Sequence, residues 1–281
     1  HLKEKTVVCS TRVEPPLHPN NGEKILLDFG VWPEEFKEKE FDAYVNEQKD
    51  SDKITEGIFA PWMMYKQEFM NLGGHDPILR SCREDSDVFN RMLLAGFKFI
   101  QPWNSLVYHL TGRGAGSFSG DEERHKKWQL EMQNSTKEFI RKWGTTVKHT
   151  PLMKPIVCPK YDIGIIAKNC NDIQFIEALE PWCSNIYVDK NRSKYIDLEQ
   201  KNTDYNLKKR VLPIDNEKNN EILITVDSSK FTQQDFQYLQ QMSEILADSG
   251  EPSFHGELGN ITVEIFEVMN TYEKDLIKIN L

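Results

Sequence analysis

Three carboxylates stand close together in one short segment of the chain, where they could take up a proton or hold a cation. Glu84, Asp85 and Asp87 are followed by apolar residues at helical spacing, which predicts an amphipathic helix with the acids in its first turn. Ser81 and Glu84 have the spacing of a capping box, in which the glutamate reaches back to the amide of the capping residue. Carboxylates in a first turn are also favoured by the helix dipole, by about 0.3–1 kcal/mol each. The alternative to a catalytic site is therefore a well-capped surface helix with acids at its positive end.

The elements that must position these acids can be predicted from the hydrophobic pattern and from the prolines and glycines. Residues 6–13 form a β-branched run that Pro15 and Pro16 end, which predicts a buried strand. Gly73 and Gly74 close a short helix, because glycine takes the positive φ angles that other residues avoid. The strands predicted for this half are 6–13, 57–64, 97–100 and 105–110, and its helices are 65–72, the acidic helix and 121–143.

From Phe59 to Arg113 the order of these elements resembles the acceptor half of a family 2 glycosyltransferase of the GT-A fold. That family runs from an aromatic-rich strand into a Gly-Gly-x-Asp turn, a Glu-Asp-x-Asp helix that ends in Arg and Gly, a further strand and a late His. The resemblance implies a partial GT-A-like mixed sheet with helices. It also implies inverting transfer of a sugar, of the hexosyltransferase type, from a nucleotide sugar to a hydroxyl acceptor such as a saccharide. The corresponding residues are Ala60-Pro61-Trp62-Met63, Gly73-Gly74-His75-Asp76, Glu84-Asp85-Ser86-Asp87, Arg91, Gly96 and His109.

The resemblance assigns roles to the acids and to one aromatic residue. Transfer to a hydroxyl needs a base that takes the acceptor's proton, and a positioned carboxylate typically contributes about 10²- to 10⁴-fold. By resemblance Asp85 is that base, while Glu84 assists it or is consumed by the cap. Trp62 offers a flat apolar face on which a sugar ring can stack, unless it belongs to the core. The residues implied to bind or orient the acceptor are Trp62, Asp76 and Asp87.

The departing diphosphate needs positive charge nearby, which a divalent metal, a cationic side chain or a helix N-terminus can supply. His109 stands where the family often places a histidine that binds the metal, Mn or Mg, or faces the diphosphate. The alternative is an ordinary histidine at a strand end. Arg113 lies in a Gly-rich stretch, residues 112–120, that is expected to form a lid, from which the arginine could meet the diphosphate through charge-assisted hydrogen bonds.

The composition limits the classes of protein and partner. The chain has 281 residues, of which 38% are hydrophobic, enough for one large domain or two ordinary ones. A net charge of −9 argues against a nucleic-acid partner, since neutralising a phosphate backbone takes a basic surface. No apolar run approaches the roughly 20 residues that span a bilayer, and the N-terminus has no signal-like apolar core, so a cytoplasmic protein is expected. The five cysteines are scattered without a Cys-x-x-Cys pair, so neither a disulfide framework nor a zinc site is predicted.

Residues 151–160 contain three prolines and form the predicted linker between an acceptor half at 1–150 and a second module at 161–281. Strands and helices alternate in the second module, which predicts a Rossmann-like α/β module with a mainly parallel sheet. No Gly-x-Gly-x-x-Gly follows its first strand, so a dinucleotide site is not predicted. Its predicted strands are 162–167, 185–189, 221–227 and 261–268, and its predicted helices are 172–179 and 232–247, the second with a capping box at Thr232 and Asp235.

The second module is itself similar to a GT-A nucleotide-sugar-binding half. By that resemblance Asp189, which closes the second strand, would contact the base or ribose, and Asp227 would begin the Asp-x-Asp motif. Ser229 stands in place of the second acid, and a hard divalent cation prefers carboxylate oxygens. The alternative is an α/β accessory module that is unrelated to transferases.

In the resembled family a strand such as 6–13 follows the nucleotide-binding half, which implies a chain that begins in mid-domain. A transferase without its donor half would bind nucleotide diphosphates weakly, and the isolated chain could be inactive. The rival function is a non-catalytic carbohydrate-binding or assembly module on the same fold.

Overall fold

The computed structural model describes residues 1–80, 82–110, 122–249, 251–266, 268–272 and 276. Its contacts divide the chain into two compact units. Residues 1–133 and 147–157 belong to the first unit, and residues 134–146 and 158–276 belong to the second. Both units combine helices with sheets that contain parallel strands, so the predicted α/β class is confirmed.

The first unit has seven strands and three helices among its described residues. The strands are β1 (Thr6–Cys9), β2 (Thr11–Glu14), β3 (Ile25–Leu26), β4 (Ile54–Thr55), β5 (Trp62–Met63), β6 (Lys98–Pro102) and β7 (Leu106–Tyr108). The helices are α1 (Glu38–Gln48), α2 (Lys66–Asn71) and α3 (Glu84–Leu94), with a short 3-10 helix at Pro33–Glu35. A further helix, α4 (Glu122–Trp143), passes from the residues of the first unit into those of the second.

The single strand predicted over residues 6–13 is two strands that belong to different sheets. β1 lies between β6, which is parallel to it, and β5, which is antiparallel, in the order β4-β6-β1-β5. β2 is the central strand of the parallel order β3-β2-β7. The chain changes sheets at Ser10, whose N–H donates to the carbonyl of Pro61 at 3.1 Å, while the N–H of Thr11 donates to the carbonyl of Ser105 at 2.7 Å. One β-branched run therefore supplies strands to both sheets.

The core of the first unit forms between α3 and the four-stranded sheet. Val7 and Phe99 from the strands and Val88 and Met92 from the helix are at most 4% exposed. Burying one side chain of this size contributes about 1.5–3 kcal/mol, so four of them hold the helix firmly on the sheet. This packing also fixes the position of the acids in the first turn of α3.

The predicted capping box of α3 is wrong. The helix begins at Glu84, its N-cap is Arg83 in a left-handed conformation with φ of 73°, and no side chain caps it. Because Glu84 is the first helical residue, it stands two residues too early to act as the acid of a capping box. Ser81, the expected cap, lies outside the described residues.

The second unit builds one six-stranded sheet with helices. The strands are β8 (Ile163–Lys168), β9 (Asn185–Val188), β10 (Val211–Pro213), β11 (Ile222–Asp227), β12 (His255–Leu258) and β13 (Ile261–Ile265). The helices are α5 (Ile173–Leu179), α6 (Arg192–Glu199), α7 (Leu207–Arg210), α8 (Gln233–Gln240) and α9 (Met242–Ser249), with 3-10 turns at Glu180–Trp182 and Gln200–Asn202.

The sheet of the second unit has the order β10-β9-β8-β11-β13-β12, in which the first four strands are parallel and the last two join antiparallel. The predicted capping box is confirmed, since Thr232 and Asp235 exchange hydrogen bonds at the start of α8. The one helix predicted over 232–247 is two helices that meet at Gln241. β9 and β11 lie on opposite sides of β8, so the strand order reverses there, and open α/β sheets bind ligands at the carboxyl ends of the strands beside such a reversal.

The boundary between the units differs from the predicted linker. Residues 147–157 pack within the first unit. Lys154 forms an ion pair there with Glu56 at 2.5 Å, and the backbones of His149 and Pro155 form an isolated antiparallel β-bridge. The last part of α4 belongs to the second unit because the buried Arg141 forms ion pairs there, at 2.6 Å with Glu180 among others. A proline count alone cannot show such contacts, since they join residues far apart in sequence. None of the described helices is both long and apolar enough to cross a membrane.

Candidate functional site

Asp85, the predicted base, lies in the first turn of α3 against side chains from two other segments. β5 carries Trp62, whose indole favours the ionised form of the Asp85 carboxylate, and the Gly-Gly turn carries His75, whose charge acts on the same group. The centroid of the Trp62 ring lies 6.2 Å from that of His75 and 6.0 Å from that of Phe89. The fold thus brings the predicted pair Asp85 and Trp62 together, and it adds His75, which the sequence did not single out.

The surroundings of Asp85 change the proton affinity of its carboxyl group. Partial burial raises the pKa of Asp85 above its ordinary value of 3.8, while the charge of His75 and the hydrogen bond from Trp62 act in the opposite direction. A carboxylate with a raised pKa is the stronger base, and a donor that favours its ionised form keeps it ready to accept a proton. These are the properties that a general base requires.

A cavity of about 220 Å³ opens beside Asp85 within the first unit. Its wall combines apolar side chains with polar residues, among them Ser86 and Asn90 of α3 and Lys148 and His149. Pockets for drug-sized ligands measure about 300–1,000 Å³, so this space suits something smaller, such as one sugar ring.

Asp87, which was expected to bind the acceptor, has a structural role instead. Its side chain and that of Arg91 are both fully buried and form an ion pair at 2.7 Å. Arg91 also donates hydrogen bonds to the carbonyls of Leu72 and, at 2.6 Å, Gly74. The pair therefore ties α3 to the Gly-Gly turn, and so holds His75 in place beside Asp85.

Asp76 and Glu84, the other predicted acids, do not line the cavity. Asp76 is 9% exposed and accepts a hydrogen bond from the N–H of Ile78 at 3.2 Å, which closes the turn after the glycines. Glu84 has one buried oxygen, Oε2, that has no hydrogen-bond partner among the described residues. The positive end of the helix offsets part of the cost of burying it.

Glu14, at the end of β2, is the centre of a buried charge cluster. Its Oε1 lies 2.8 Å from both Arg12 Nη1 and His109 Nδ1, and its Oε2 lies 2.9 Å from Lys24 Nζ. Burial alone would raise the pKa of Glu14, but hydrogen bonds from His109 and Lys24 and the charge of Arg12 outweigh it and lower the pKa to about 2. The pairing of β2 with β7 brings these groups together, and the N–H of His109 donates to the carbonyl of Val13 at 2.9 Å.

Phe59 connects the charge cluster with the cavity. Its ring lines the cavity of Asp85, and the guanidinium carbon of Arg12 lies 3.4 Å from the ring centroid. The centroid of the His109 ring lies 5.9 Å from the same ring. His109 is therefore one side chain away from the cavity in which Asp85 is exposed.

In the second unit, Asp189 and Asp227 stand at the carboxyl ends of β9 and β11, the two strands that flank β8, and both accept hydrogen bonds from the loop that follows β8. Asp189 accepts hydrogen bonds from the N–H groups of Asn169, at 2.8 Å, and Cys170, at 3.0 Å. Asp227 Oδ1 accepts from Asn169 Nδ2 at 2.9 Å and from the N–H and hydroxyl of Ser229 at 2.9 and 2.7 Å. Hydrogen bonds from Asn169 and Ser229 lower the pKa of Asp227 to about 2.

Few potential ligands for Mn or Mg come together among the described residues. No three side chains of His, Cys, Asp or Glu come together in the part of the chain that is described. The carboxylate beside His109 already contacts Arg12 and Lys24, and Ser229 leaves Asp227 without a second acid. Since Mg²⁺ is usually held by one or two carboxylates together with phosphates and waters, the metal expected at His109 stays a prediction.

The chain was compared with known proteins at the levels of family, sequence and structure. Models of protein families, curated proteins and solved structures give no match. The function must therefore be argued from the site itself. Arg113, the predicted diphosphate contact, lies outside the described residues.

Three residues of the site, His75, Glu14 and Phe59, escaped the sequence analysis. His75 stands inside the quoted turn motif, but nothing in the spacing indicates that its ring faces Asp85. Glu14 offers one usable signal, because a charged residue at the end of a β-branched run needs a buried partner if the strand is buried. Nothing in the sequence around Phe59 distinguishes it from an aromatic residue of the core.

Proposed function

We propose that the chain carries the acceptor site of an inverting glycosyltransferase, which moves a sugar from a nucleotide sugar to a hydroxyl of a saccharide or another acceptor. The observation that carries the proposal is the partly buried carboxylate of Asp85, which lines the cavity and whose ionised form is favoured by Trp62 and His75. A partly buried carboxylate that opens to a small polar space suits the removal of a proton from a hydroxyl. The order of motifs around Asp85 supports the reaction class by its resemblance to family 2 transferases.

The reaction that suits this arrangement is a direct displacement. The acceptor hydroxyl lies in the cavity and gives its proton to Asp85 as its oxygen bonds to the anomeric carbon of the donor sugar. The bond from that carbon to the diphosphate breaks in the same step, the electron pair leaves with the diphosphate, and the configuration inverts. Trp62 favours the ionised form of Asp85, and the buried pair of Asp87 and Arg91 holds the turn that carries His75. One base is enough for this route, whereas retention would need a nucleophile as well.

The second candidate function, a non-catalytic carbohydrate-binding or assembly module, is favoured by the state of Asp189 and Asp227. Their carboxylates are engaged in hydrogen bonds with the loops that follow β8 and β11, and no three side chains of His, Cys, Asp or Glu group together among the described residues. Such a module would keep saccharide binding at the cavity but would not transfer a sugar. The two functions thus share the cavity and differ in turnover.

The shared part of both functions can be tested by saccharide binding. Mono- and disaccharide pools are added to the ¹⁵N-labelled chain, and the indole N–H resonance of Trp62 is followed by NMR. The proposal expects a shift of this resonance that is lost in Ser86→Phe, which fills the cavity, and retained in Ser105→Phe, which adds the same ring outside the cavity. If no pool moves the Trp62 resonance, or if Ser86→Phe responds like the wild type, the cavity is not an acceptor site.

A further inference from the structure

The contact between Glu14 and His109 joins residues 95 positions apart and fixes one ring nitrogen of the histidine. Glu14 Oε1 lies 2.8 Å from His109 Nδ1, and the glutamate side chain is 2% exposed. The imidazole itself remains 38% exposed, and Nε2 has no hydrogen-bond partner among the described residues. One nitrogen of the ring is therefore held inside the protein while the other stays available.

The charges around Glu14 decide which form of the imidazole is compatible with the cluster. Two cations, Arg12 and Lys24, face two carboxylates, since Lys24 Nζ lies 2.9 Å from Glu14 and 3.8 Å from Glu23. The cluster is balanced without a charge on His109. A neutral imidazole that donates its Nδ1–H to Glu14 meets the remaining hydrogen-bonding capacity of the carboxylate.

We infer that Glu14 is the positioning residue of His109, which keeps the proton on Nδ1 and presents Nε2 as an electron-pair donor. The same arrangement, a carboxylate behind one nitrogen of a histidine, orients many histidines whose other nitrogen binds a ligand. With its lone pair on Nε2, His109 accepts a hydrogen bond from a hydroxyl or binds a cation, and it does not donate to a phosphate oxygen. The ring of Phe59 holds the imidazole on the side of the cavity.

The inference rests on the proposed function for the meaning of the ligand, but not for its test. The ligand expected at His109 Nε2 is a hydroxyl that donates a hydrogen bond to it, or a cation that it coordinates. The tautomer can be measured without donor or acceptor. The tautomer result on Glu14 and His109 would therefore stand even if the chain transferred no sugar. A different tautomer would likewise leave the transferase proposal untouched.

The test is the tautomer of His109, measured by long-range ¹H–¹⁵N NMR at a pH well above the ordinary histidine pKa of about 6.5. In the wild type we expect Nδ1 to carry the proton and Nε2 to show the shift of an unprotonated nitrogen. In Glu14→Gln, Arg12 and Lys24 compete for the single amide oxygen, so the amide N–H₂ faces the histidine and the tautomer ratio reverses. Glu23→Gln is the matched control, because it removes one charge from the same cluster without touching His109, and it should leave the ratio unchanged.

Two results would overturn the inference. One is a wild-type spectrum in which most of the proton sits on Nε2. The other is a folded Glu14→Gln variant with the wild-type tautomer ratio, which would mean that the glutamate is merely structural. If Glu14→Gln fails to fold, the wild-type spectrum decides by itself.

Discussion

The indole of Trp62 and the carboxylate of Asp85 come together where strand β5 meets the first turn of α3, among aromatic rings that include Phe89. The contact acts on the ionised form of the acid. It opposes the effect of burial, which raises the pKa of Asp85. The balance of these two effects sets the pH at which Asp85 can act as a base.

Replacing Trp62 by Phe should raise the pKa of Asp85 further, because the ring remains while the donor to the ionised carboxylate is lost. At a given pH a smaller fraction of Asp85 is then ionised, and the acid limb of any pH–rate profile moves to higher pH. The ¹³C shift of the Asp85 carboxyl, followed through a pH titration, measures this directly. Trp103→Phe is the control, since that indole donates to Thr55 at 3.0 Å instead. An unchanged Asp85 titration in Trp62→Phe would show that the contact does not set its proton affinity.

Breaking the buried pair of Asp87 and Arg91 should be costly. Arg91→Met removes the cation that pairs with the fully buried Asp87, and we expect a loss of about 3–5 kcal/mol in the free energy of unfolding by urea. The double variant Asp87→Leu with Arg91→Met should recover part of it, because no charge remains buried. Glu122→Gln, in the exposed pair of Glu122 with Lys126, is the control and should change stability by less than about 1 kcal/mol. A loss of that small size in Arg91→Met would refute the structural role given to the pair.

Much of the first unit's site was predictable from sequence, since its residues lie in one stretch with fixed spacing. The turn, the acidic helix and its apolar face were indicated by local pattern, and the fold brings Asp85 and Trp62 together. The burial of Asp87 was not predictable, because a carboxylate in the first turn of a helix is usually exposed to solvent and nothing in the local pattern indicates otherwise. The contact of Glu14 with His109 depends on the pairing of β2 with β7, which lie far apart in sequence. The local sequence pattern does not indicate which distant strands pair.

Asp235 should make the stability of the chain sensitive to acid. Burial by itself would raise its pKa, but hydrogen bonds from Asn260 and Thr232 lower it from 3.8 to about 2. A lowered folded-state pKa contributes stability that is present above the ordinary value and is lost as the pH falls from 3.8 towards about 2. Asp235→Asn should therefore be less stable near neutral pH and show a flatter dependence across this window, as measured by urea midpoints.

The control for this prediction is Asp204→Asn, which alters an exposed acid in the same unit. It should follow the wild-type dependence on pH. If Asp235→Asn loses stability in acid as steeply as the wild type, the cap and the Asn260 contacts do not depend on the charge of Asp235.

The second unit should bind nucleotide diphosphates weakly at most, and not through Asp189 or Asp227. Asp189 already accepts hydrogen bonds from the loop that follows β8, Asp227 accepts from Ser229, and that serine replaces the acid that would complete a metal site. Calorimetric titration with uridine, guanosine and thymidine diphosphates, with and without manganese, tests this expectation. Micromolar, metal-dependent binding that disappears in Asp189→Ala or Asp227→Ala would make this unit a working donor site.

The central claim is that Asp85 takes the proton of the acceptor. The direct measurement is sugar transfer by the wild type and by Asp85→Asn, with pooled nucleotide sugars at millimolar concentration to offset weak donor binding, and with pooled saccharide acceptors. We expect slow transfer by the wild type and a rate at least about 100-fold lower in Asp85→Asn, with an unchanged unfolding midpoint. Glu38→Gln, an exposed first-turn acid of α1, should transfer like the wild type. Equal rates in wild type and Asp85→Asn would contradict the account, and a wild type that binds saccharides without transferring any sugar would favour the non-catalytic module.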